Sequence, residues 1–299
     1  MTASHPMTIK IYFMLTTPAL VRAIKPTDIA PLMHQLKQWR RVQWRISLED
    51  IATTLQTRPG VLVEDGVGLR GFMLLEPHVA GYGLICGLGL RDTWGINPYF
   101  HHVLPPLIQW ARREQLTALM GMGNEDWFVK GLVAQEFKIR HWVIALERVG
   151  TALPPPVATV GQIRPAQLAD LATILRIDEQ TFDQMWRINS HELQRALRKS
   201  GEVLLIEMNG QAVGYAWFEV SQSHAHVTRL VVQPEYHGRG LGAQLLAQVM
   251  NQALAQGITL LSVNTLSQND RSRALYERFG FGFTGEQMPI LWRELGSKK

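Results

Sequence analysis

In the C-terminal part of the chain, apolar and polar positions alternate and cluster so as to predict a definite order of elements. Glu202-Val203-Leu204-Leu205-Ile206-Glu207 reads as a strand, Asn209-Gly210 as a hairpin turn, and Ala212 to Val220 as the partner strand. Ser221-Gln222-Ser223 then turns the chain into a further strand, His224 to Val232. Leu245, Leu246, Val249, Met250 and Ala253 recur at helical spacing, which predicts an amphipathic helix from Ala243 to Ala255, ended by Gly257. A strand over Ile258 to Val263, a helix over Arg271 to Phe279 and a closing strand complete the pattern. A meander of strands followed by strand, helix, strand, helix, strand is the order of a mixed α/β domain.

The chain divides at Leu153-Pro154-Pro155-Pro156-Val157, where three successive prolines forbid helix and favour an extended spacer. A similar phrase opens a segment on each side: Ile24-Lys25-Pro26-Thr27-Asp28 before it and Ile163-Arg164-Pro165-Ala166-Gln167 after it, an offset of 139. Each reads as a short strand, a proline turn and an entering helix. The echo returns at the far ends, where Asn124 precedes Phe137 and Asn269 precedes Phe281, the asparagines being offset by 145. Two phrases repeated in the same order imply a duplicated unit of roughly 140 residues. The expected organisation is a first domain over residues 1–150, a Pro-rich linker over 151–160 and a second domain over 161–299.

Composition narrows the function classes. The 299 residues are 46% hydrophobic and 18% charged, which excludes disorder, collagen and coiled coil for the whole chain. With Cys86 as the sole cysteine, an intrachain disulfide and a four-cysteine zinc site are both excluded, and a reducing, cytoplasmic location is expected. The apolar run Ile11 to Val21, behind Lys10, resembles a signal peptide. It lacks a clear small-residue cleavage site, is broken by Thr16, Thr17 and Pro18, and is too short to span a bilayer. The net charge of +5 raises nucleic acid as a partner. Residues 1–150 hold 16 Lys and Arg against 12 Asp and Glu, and residues 151–299 hold 14 against 13, so neither half is strongly basic. Neither nucleic acid nor membrane is expected as a partner.

The segment with the clearest chemistry is His237-Gly238-Arg239-Gly240-Leu241-Gly242, between a strand and a helix. Its glycines let backbone N–H groups approach a ligand, and the helix start behind them adds about half a positive charge. That combination is an anion cradle. No Gly-Lys-Ser/Thr follows, as a P-loop requires, and position 262, about 20 residues on, is serine where a dinucleotide fold would carry an acid.

Here the sequence resembles the GNAT superfamily of acyl-CoA N-acyltransferases, whose signature is Arg/Gln-x-x-Gly-x-Gly/Ala between a strand and a helix. The resemblance extends to Asn269, Ala274-Leu275-Tyr276-Glu277 and Gly280-Phe281, and covers residues 224 to 283. His237 departs from it, standing where Arg or Gln is usual. The resemblance implies two GNAT-like domains in tandem, of α/β class with a mixed sheet, the first a degenerate copy without cofactor. It implies acetyl-CoA as acyl donor and no metal. Leu230, Val231 and Val232 would then offer backbone groups to the pantetheine arm. Gly238 to Ala243, that is Gly238, Arg239, Gly240, Leu241, Gly242 and Ala243, would bind the pyrophosphate beside His237. Asn269 would bond the cofactor arm, and Arg271 with Arg273 would face the 3′-phosphate.

Tyr276 is the implied acid for the departing thiolate, since a phenol with a pKa near 10 is protonated at pH 7. For the base, His224 is favoured over His226, with which it shares one strand face, and Glu219 is an alternative. The i, i+2 histidines also suit a metal, but no third ligand is evident nearby. Asp178 to Trp186 lies where the superfamily commonly lines the acceptor side; core packing of Phe182 and Trp186 explains the same residues equally well.

In the first half no Gly-x-Gly adjoins the helix expected from Pro105 to Arg113, and the helix expected over Glu125 to Glu136 lacks a tyrosine. Six of the nine tryptophans, Trp39, Trp44, Trp94, Trp110, Trp127 and Trp142, lie there, as expected where side chains fill a former cofactor space or an ordinary core. The expected activity is N-acetylation of a primary amine on a small molecule or peptide, by a monomer or homodimer. The alternative is a non-catalytic acyl-CoA-binding sensor.

Overall fold

The computed structural model describes residues 19–45, 51–78, 80–188, 190–199 and 202–296. Most of the apolar run Ile11 to Val21 lies outside them. The first half contains β1 (Leu20–Ala23), α1 (Ile29–Leu36), β2 (Arg41–Trp44), α2 (Ile51–Thr57), β3 (Gly60–Asp65), β4 (Gly68–Pro77), β5 (Tyr82–Leu90), α3 (Ile96–Arg113), β6 (Ala118–Met122), α4 (Asp126–Val133) and β7 (Lys138–Val149). The second half contains β8 (Gln162–Pro165), α5 (Leu171–Thr181), α6 (Ser190–Arg198), β9 (Val203–Met208), β10 (Gln211–Val220), β11 (His224–Val232), α7 (Leu241–Ala255), β12 (Leu260–Leu266), α8 (Asp270–Arg278) and β13 (Gly282–Glu294). The hairpin at Asn209-Gly210 has φ of +52° and +76°, the double left-handed turn expected of that dipeptide.

All strands join one mixed sheet in the order β1-β3-β4-β5-β6-β13-β7-β12-β11-β10-β9-β8, with β2 added on β5. The last strands of the two halves are exchanged. β13 pairs with β6 over Ile290–Glu294, and β7 pairs with β12 over its whole length from Leu260 to Leu266. Helices α3, α4, α7 and α8 cover one face, and α1, α2, α5 and α6 cover the other. Neither half closes its sheet from its own residues.

The duplication holds at atomic detail, but in a different register from the phrases that suggested it. Arg22 donates from Nε to Glu64 and from its two terminal nitrogens to Asp28, at 2.6 to 2.9 Å, and Asp28 accepts from Lys25 N at 2.8 Å. Arg164 repeats this with Glu207 and Asp170 at 2.7 to 2.9 Å, and Asp170 accepts from Gln167 N at 2.8 Å. The equivalent residues are therefore Arg22 and Arg164, an offset of 142 rather than 139, and Pro26 does not correspond to Pro165. Two prolines three places out of register produced the apparent match.

The helix α3 also departs from expectation, starting at Ile96 and running through Pro105 and Pro106. Interior prolines cost about 3 kcal/mol each. Tyr99, Phe100, Val103, Leu104 and Leu107 are all at most 2% exposed on the buried side, and burial at ~1.5–3 kcal/mol per large side chain outweighs that cost.

Candidate functional site

The site begins with a fault in the sheet. β11 and β12 run parallel and pair only from His224–Leu260 to Val227–Val263, although β11 continues to Val232 and β12 to Leu266. The cause lies on the other side of β11. There the register with β10 shifts between Trp217–Arg229 and Phe218–Val227, leaving Thr228 as an extra residue that bends the strand away. Gln233 N donates to Val213 O at 2.9 Å, so by alternation the peptide groups of Val232 and Leu230 face the opening, where no strand meets them. The buried Thr228 hydroxyl also lacks a hydrogen-bond partner. The expected splay is thus present, leaving the peptide groups of Leu230 and the Val232 N–H for an extended ligand; Val231, also expected to offer backbone groups, instead faces β10 opposite Tyr215 and offers none.

The glycine loop continues from the mouth of this opening. Gly238 and Gly240 have φ of +77° and +88°, and nothing stands within 4 Å of where a Gly238 side chain would begin. The first helical bond of α7 runs from Gln244 N to Gly240 O at 3.0 Å, leaving the N–H groups of Leu241, Gly242 and Ala243 for a ligand. The Leu241 and Ala243 side chains are core, so only their backbone serves the cradle. An orphan hydroxyl, an open strand edge and an unfilled cradle at a helix start suit a pantetheine arm ending in pyrophosphate.

His237 turns inward rather than toward the cradle. Its Nε2 donates to Val232 O at 2.7 Å, and its Nδ1 accepts from Arg271, which brings that guanidinium to the loop. Arg239 lies over the Tyr236 ring at 5.2 Å. Asn269 caps α8 by accepting from Ser272 N at 3.2 Å, which leaves its amide N–H groups and a second carbonyl lone pair for another partner. Arg273 is engaged by Asp270, Glu277 and the Ser267 carbonyl.

Tyr276 and the histidines lie on opposite faces of the opening. Tyr276 is 5% exposed in the core that also holds Val232, Leu241 and Val263, and burial pushes its phenol up, so it stays protonated at neutral pH. Ala225 and Val227 point into that same core, which puts His224 and His226 on the other face. His226 sits directly opposite Glu219 and one residue before the last rung. His224 Nε2 and His226 Nδ1 both contact Ser262 Oγ, at 2.6 and 2.7 Å. Burial, with the neighbouring His224, pushes the His226 imidazole below its ordinary range. Among the described residues no group of three or more His, Cys, Asp or Glu could hold a metal ion.

The expected acceptor segment divides between scaffold and surface. Asp178 is 1% exposed and accepts from Ile188 N at 2.8 Å and Tyr215 Oη at 2.6 Å, and Arg229 pairs with it at 3.2 Å. Its role is to fix Arg229, which also lies over the Phe182 ring at 4.5 Å and donates to the Trp186 carbonyl. The first half holds the same turn from the other side. Tyr82 Oη donates to Met185 O at 3.3 Å, and the His141 and Trp186 rings are 6.4 Å apart. Arg229, Tyr215, Thr228 and Tyr82 were not singled out from the sequence. Only a pairing register or a tertiary contact reveals them.

In the first half the equivalent opening is filled. β5 carries the same bulge at Cys86 and parts from β6 after Leu84–Met120. Gly87, Gly89 and Leu90 thereby correspond to Arg229, Val231 and Val232. Here, however, β2 pairs with β5 from Arg41–Leu90 to Trp44–Gly87, and Gln43 bridges across to the Met122 carbonyl. Trp44 stands so close that a side chain on Gly87 would meet its ring at 2.3 Å, and one on Gly89 would meet Trp39 at 3.2 Å. Leu132 takes the place of Tyr276. It accepts from Phe137 N at 3.1 Å as Tyr276 accepts from Phe281 N at 3.0 Å, and Glu136 and Gly280 follow with φ of +66° and +82°.

The acetyltransferase (GNAT) family pattern matches residues 169–281. The L-amino acid N-acyltransferase MnaT of Escherichia coli (strain K12) is 31% identical over 151 residues, 45% of this chain and 86% of that protein. Among solved structures, a tandem GNAT protein from the clavulanic acid biosynthesis pathway aligns with a TM-score of 0.63 at 14% identity, over 94% of this chain and all of that one. A GCN5-related N-acetyltransferase from Sphaerobacter thermophilus aligns with a TM-score of 0.62 at 17% identity, over 94% and 98%.

Proposed function

The chain belongs to the acetyltransferase (GNAT) family, and from that premise we propose that its second half transfers an acetyl group from acetyl-CoA to a primary amine by direct attack. The observation that carries this reading is the unpaired opening between β11 and β12, which leads straight into the Gly238–Ala243 cradle and has Tyr276 on its wall. The free peptide groups of Leu230 and the Val232 N–H orient the pantetheine arm by extending the sheet, and the first N–H groups of α7 hold the pyrophosphate. Arg271, held by His237, adds charge at the phosphate end.

Acetyl-CoA supplies the thioester. Tyr276 protonates the leaving sulfur, a role for which a desolvated phenol is suited because it holds its proton at neutral pH. On the opposite face His226, kept neutral by burial, takes the proton of the attacking ammonium, with Glu219 opposite it to favour the charged form that results. The acceptor enters from the side of α5 and α6, past the Gln184–Trp186 turn that the first half supports. In this reading the first half binds no acyl-CoA, because β2 already uses the backbone the cofactor would need. It serves the second by donating β7 and bracing the acceptor side.

The sequence has one cysteine, the buried Cys86, and hence no intrachain disulfide, which suits a reducing compartment, and we place the protein in the cytoplasm. Among the described residues no helix is long and apolar enough to cross a membrane. The test is titration calorimetry of the full chain with acetyl-CoA, followed by thiol release with free L-amino acids and an N-terminal peptide amine as acceptors. One acyl-CoA site per chain and acceptor-dependent thiol release are expected. No heat with acetyl-CoA would sink the proposal, and binding without release to any amine would leave only an acyl-CoA-binding protein.

A further inference from the structure

At the floor of the opening, His224, Ser262 and His226 form a side-chain bridge between β11 and β12. Ser262 is 8% exposed, and its hydroxyl lies 2.6 Å from His224 Nε2 and 2.7 Å from His226 Nδ1. A hydroxyl has one proton to donate, so it donates to one of these nitrogens and accepts from the other. If it donates to His224 Nε2, it accepts the His226 Nδ1 proton, and His226 Nε2 is left as a bare lone pair. That arrangement joins a base at the end of the paired segment to a second imidazole at the start of the strand, next to the exposed turn Ser221–Ser223.

Building on the N-acyltransferase reading, we infer that Ser262 is a proton relay that carries the acceptor's proton from His226 to His224 and out to solvent. His226 Nε2 gains the ammonium proton, its Nδ1–H bond breaks as that proton passes to Ser262 Oγ, and the original Ser262 proton passes to His224 Nε2. The positive charge has then moved from His226 to His224, which releases its Nδ1 proton to water. After product departs, the same path run backwards, with water at both ends, restores both tautomers.

The direction follows from the surroundings. Burial makes His226 hold a charge poorly, while His224 stands beside the exposed turn Ser221–Ser223. The charged groups facing the bridge are Glu219 on β10, opposite His226, and Glu147 on β7, opposite Ser262. Glu192 on α6 is close enough to Glu219 for the two charges to interact. Glu219 steadies the transient imidazolium at His226, and Glu147 lies on the outward side.

Ser262 is a positioning residue, so its test needs a readout that packing would not move. In the full chain with 15N-labelled histidine, long-range nitrogen–proton spectra report the tautomer of each imidazole. We expect His226 fixed with its proton on Nδ1 in the wild type and in Ser262→Thr, and a mixture of tautomers in Ser262→Ala. In thiol release with the best L-amino acid, Ser262→Ala should lower kcat about tenfold and move its acid limb, with KM for acetyl-CoA unchanged. Ser262→Thr should restore both, and His224→Gln should repeat the kcat loss from the solvent end. Unchanged tautomers in Ser262→Ala, or an unchanged pH profile, would overturn the relay. Absence of acetyl-CoA binding by the wild type would instead overturn the acyltransferase reading and leave the tautomer measurement standing.

Discussion

The two halves share their scaffold down to single hydrogen bonds and differ in what fills one gap. Arg22 with Asp28 and Glu64 is matched by Arg164 with Asp170 and Glu207, each guanidinium forking onto its aspartate and reaching its glutamate through Nε. The helix stop at Glu136–Phe137 is matched at Gly280–Phe281, and both halves carry the bulge that parts two parallel strands. In the second half the freed strand edge faces open space; in the first, β2 has paired with it. The same freed edge is thus closed in one half and open in the other without a change of scaffold. A strand that meets the same donors and acceptors satisfies the backbone as a ligand would, and it is always present.

Separating the halves should have the largest effect. In a fragment of residues 157–299, β12 loses β7, and β13 loses both β6 and β7. We expect it to be unfolded or self-associated by circular dichroism and gel filtration; a stable monomer that binds acetyl-CoA would refute the functional weight given to the strand exchange. Next, Gly238→Val places a branched side chain at φ +77° in the cradle, a conformation costing about 1–2 kcal/mol for an L-residue. Acetyl-CoA affinity should fall by at least tenfold in calorimetry. Gly89→Val, at the corresponding strand of the first half, would meet the Phe72 ring at 2.4 Å. It should lower the melting temperature instead.

Tyr276→Leu copies Leu132 into the second half. We expect kcat to fall tenfold or more while acetyl-CoA still binds within about threefold, and an unchanged kcat would return Tyr276 to packing. The smallest effect concerns the shared scaffold. Hydrogen bonds from Arg22 and Arg164 hold Asp28 and Asp170 below the usual carboxylate range. A carboxylate with a depressed pKa stabilises the fold above its unfolded value and loses that contribution as pH falls through the lower folded value. Asp28→Asn and Asp170→Asn should therefore each cost about 1–3 kcal/mol at neutral pH and converge on the wild type in acid, by denaturant melts. A marked difference between the two would show that the equivalence is only geometric.

The candidate site was legible where chemistry is local. Gly238, Gly240 and Gly242 mark a loop whose backbone a ligand could approach, whereas Tyr276 stands out only through the family resemblance. His224 and His226 were legible as a pair by strand alternation, but Ser262, 36 residues beyond His226, was not. Asp178 opens the segment expected near the acceptor side, and in the structure it is the buried anchor of Arg229. Its carboxylate is consumed by Tyr215, Ile188 N and that guanidinium, partners that no sequence spacing announces.

By itself the sequence determined the elements, because turn chemistry, periodicity and glycine conformations act over a few residues; the register of the duplication it did not determine. It placed β11 at His224–Val232 and ended α7 before Gly257, where φ is +76°. Only the tertiary structure decided which strand lies beside which. The exchange of β7 and β13, the filling of the first opening by β2 and the bridging of two histidines by Ser262 all depend on pairings between distant segments. Their backbone hydrogen bonds are chemically alike wherever they form, so the choice among partners is made by the packing of the whole sheet rather than by any local signal.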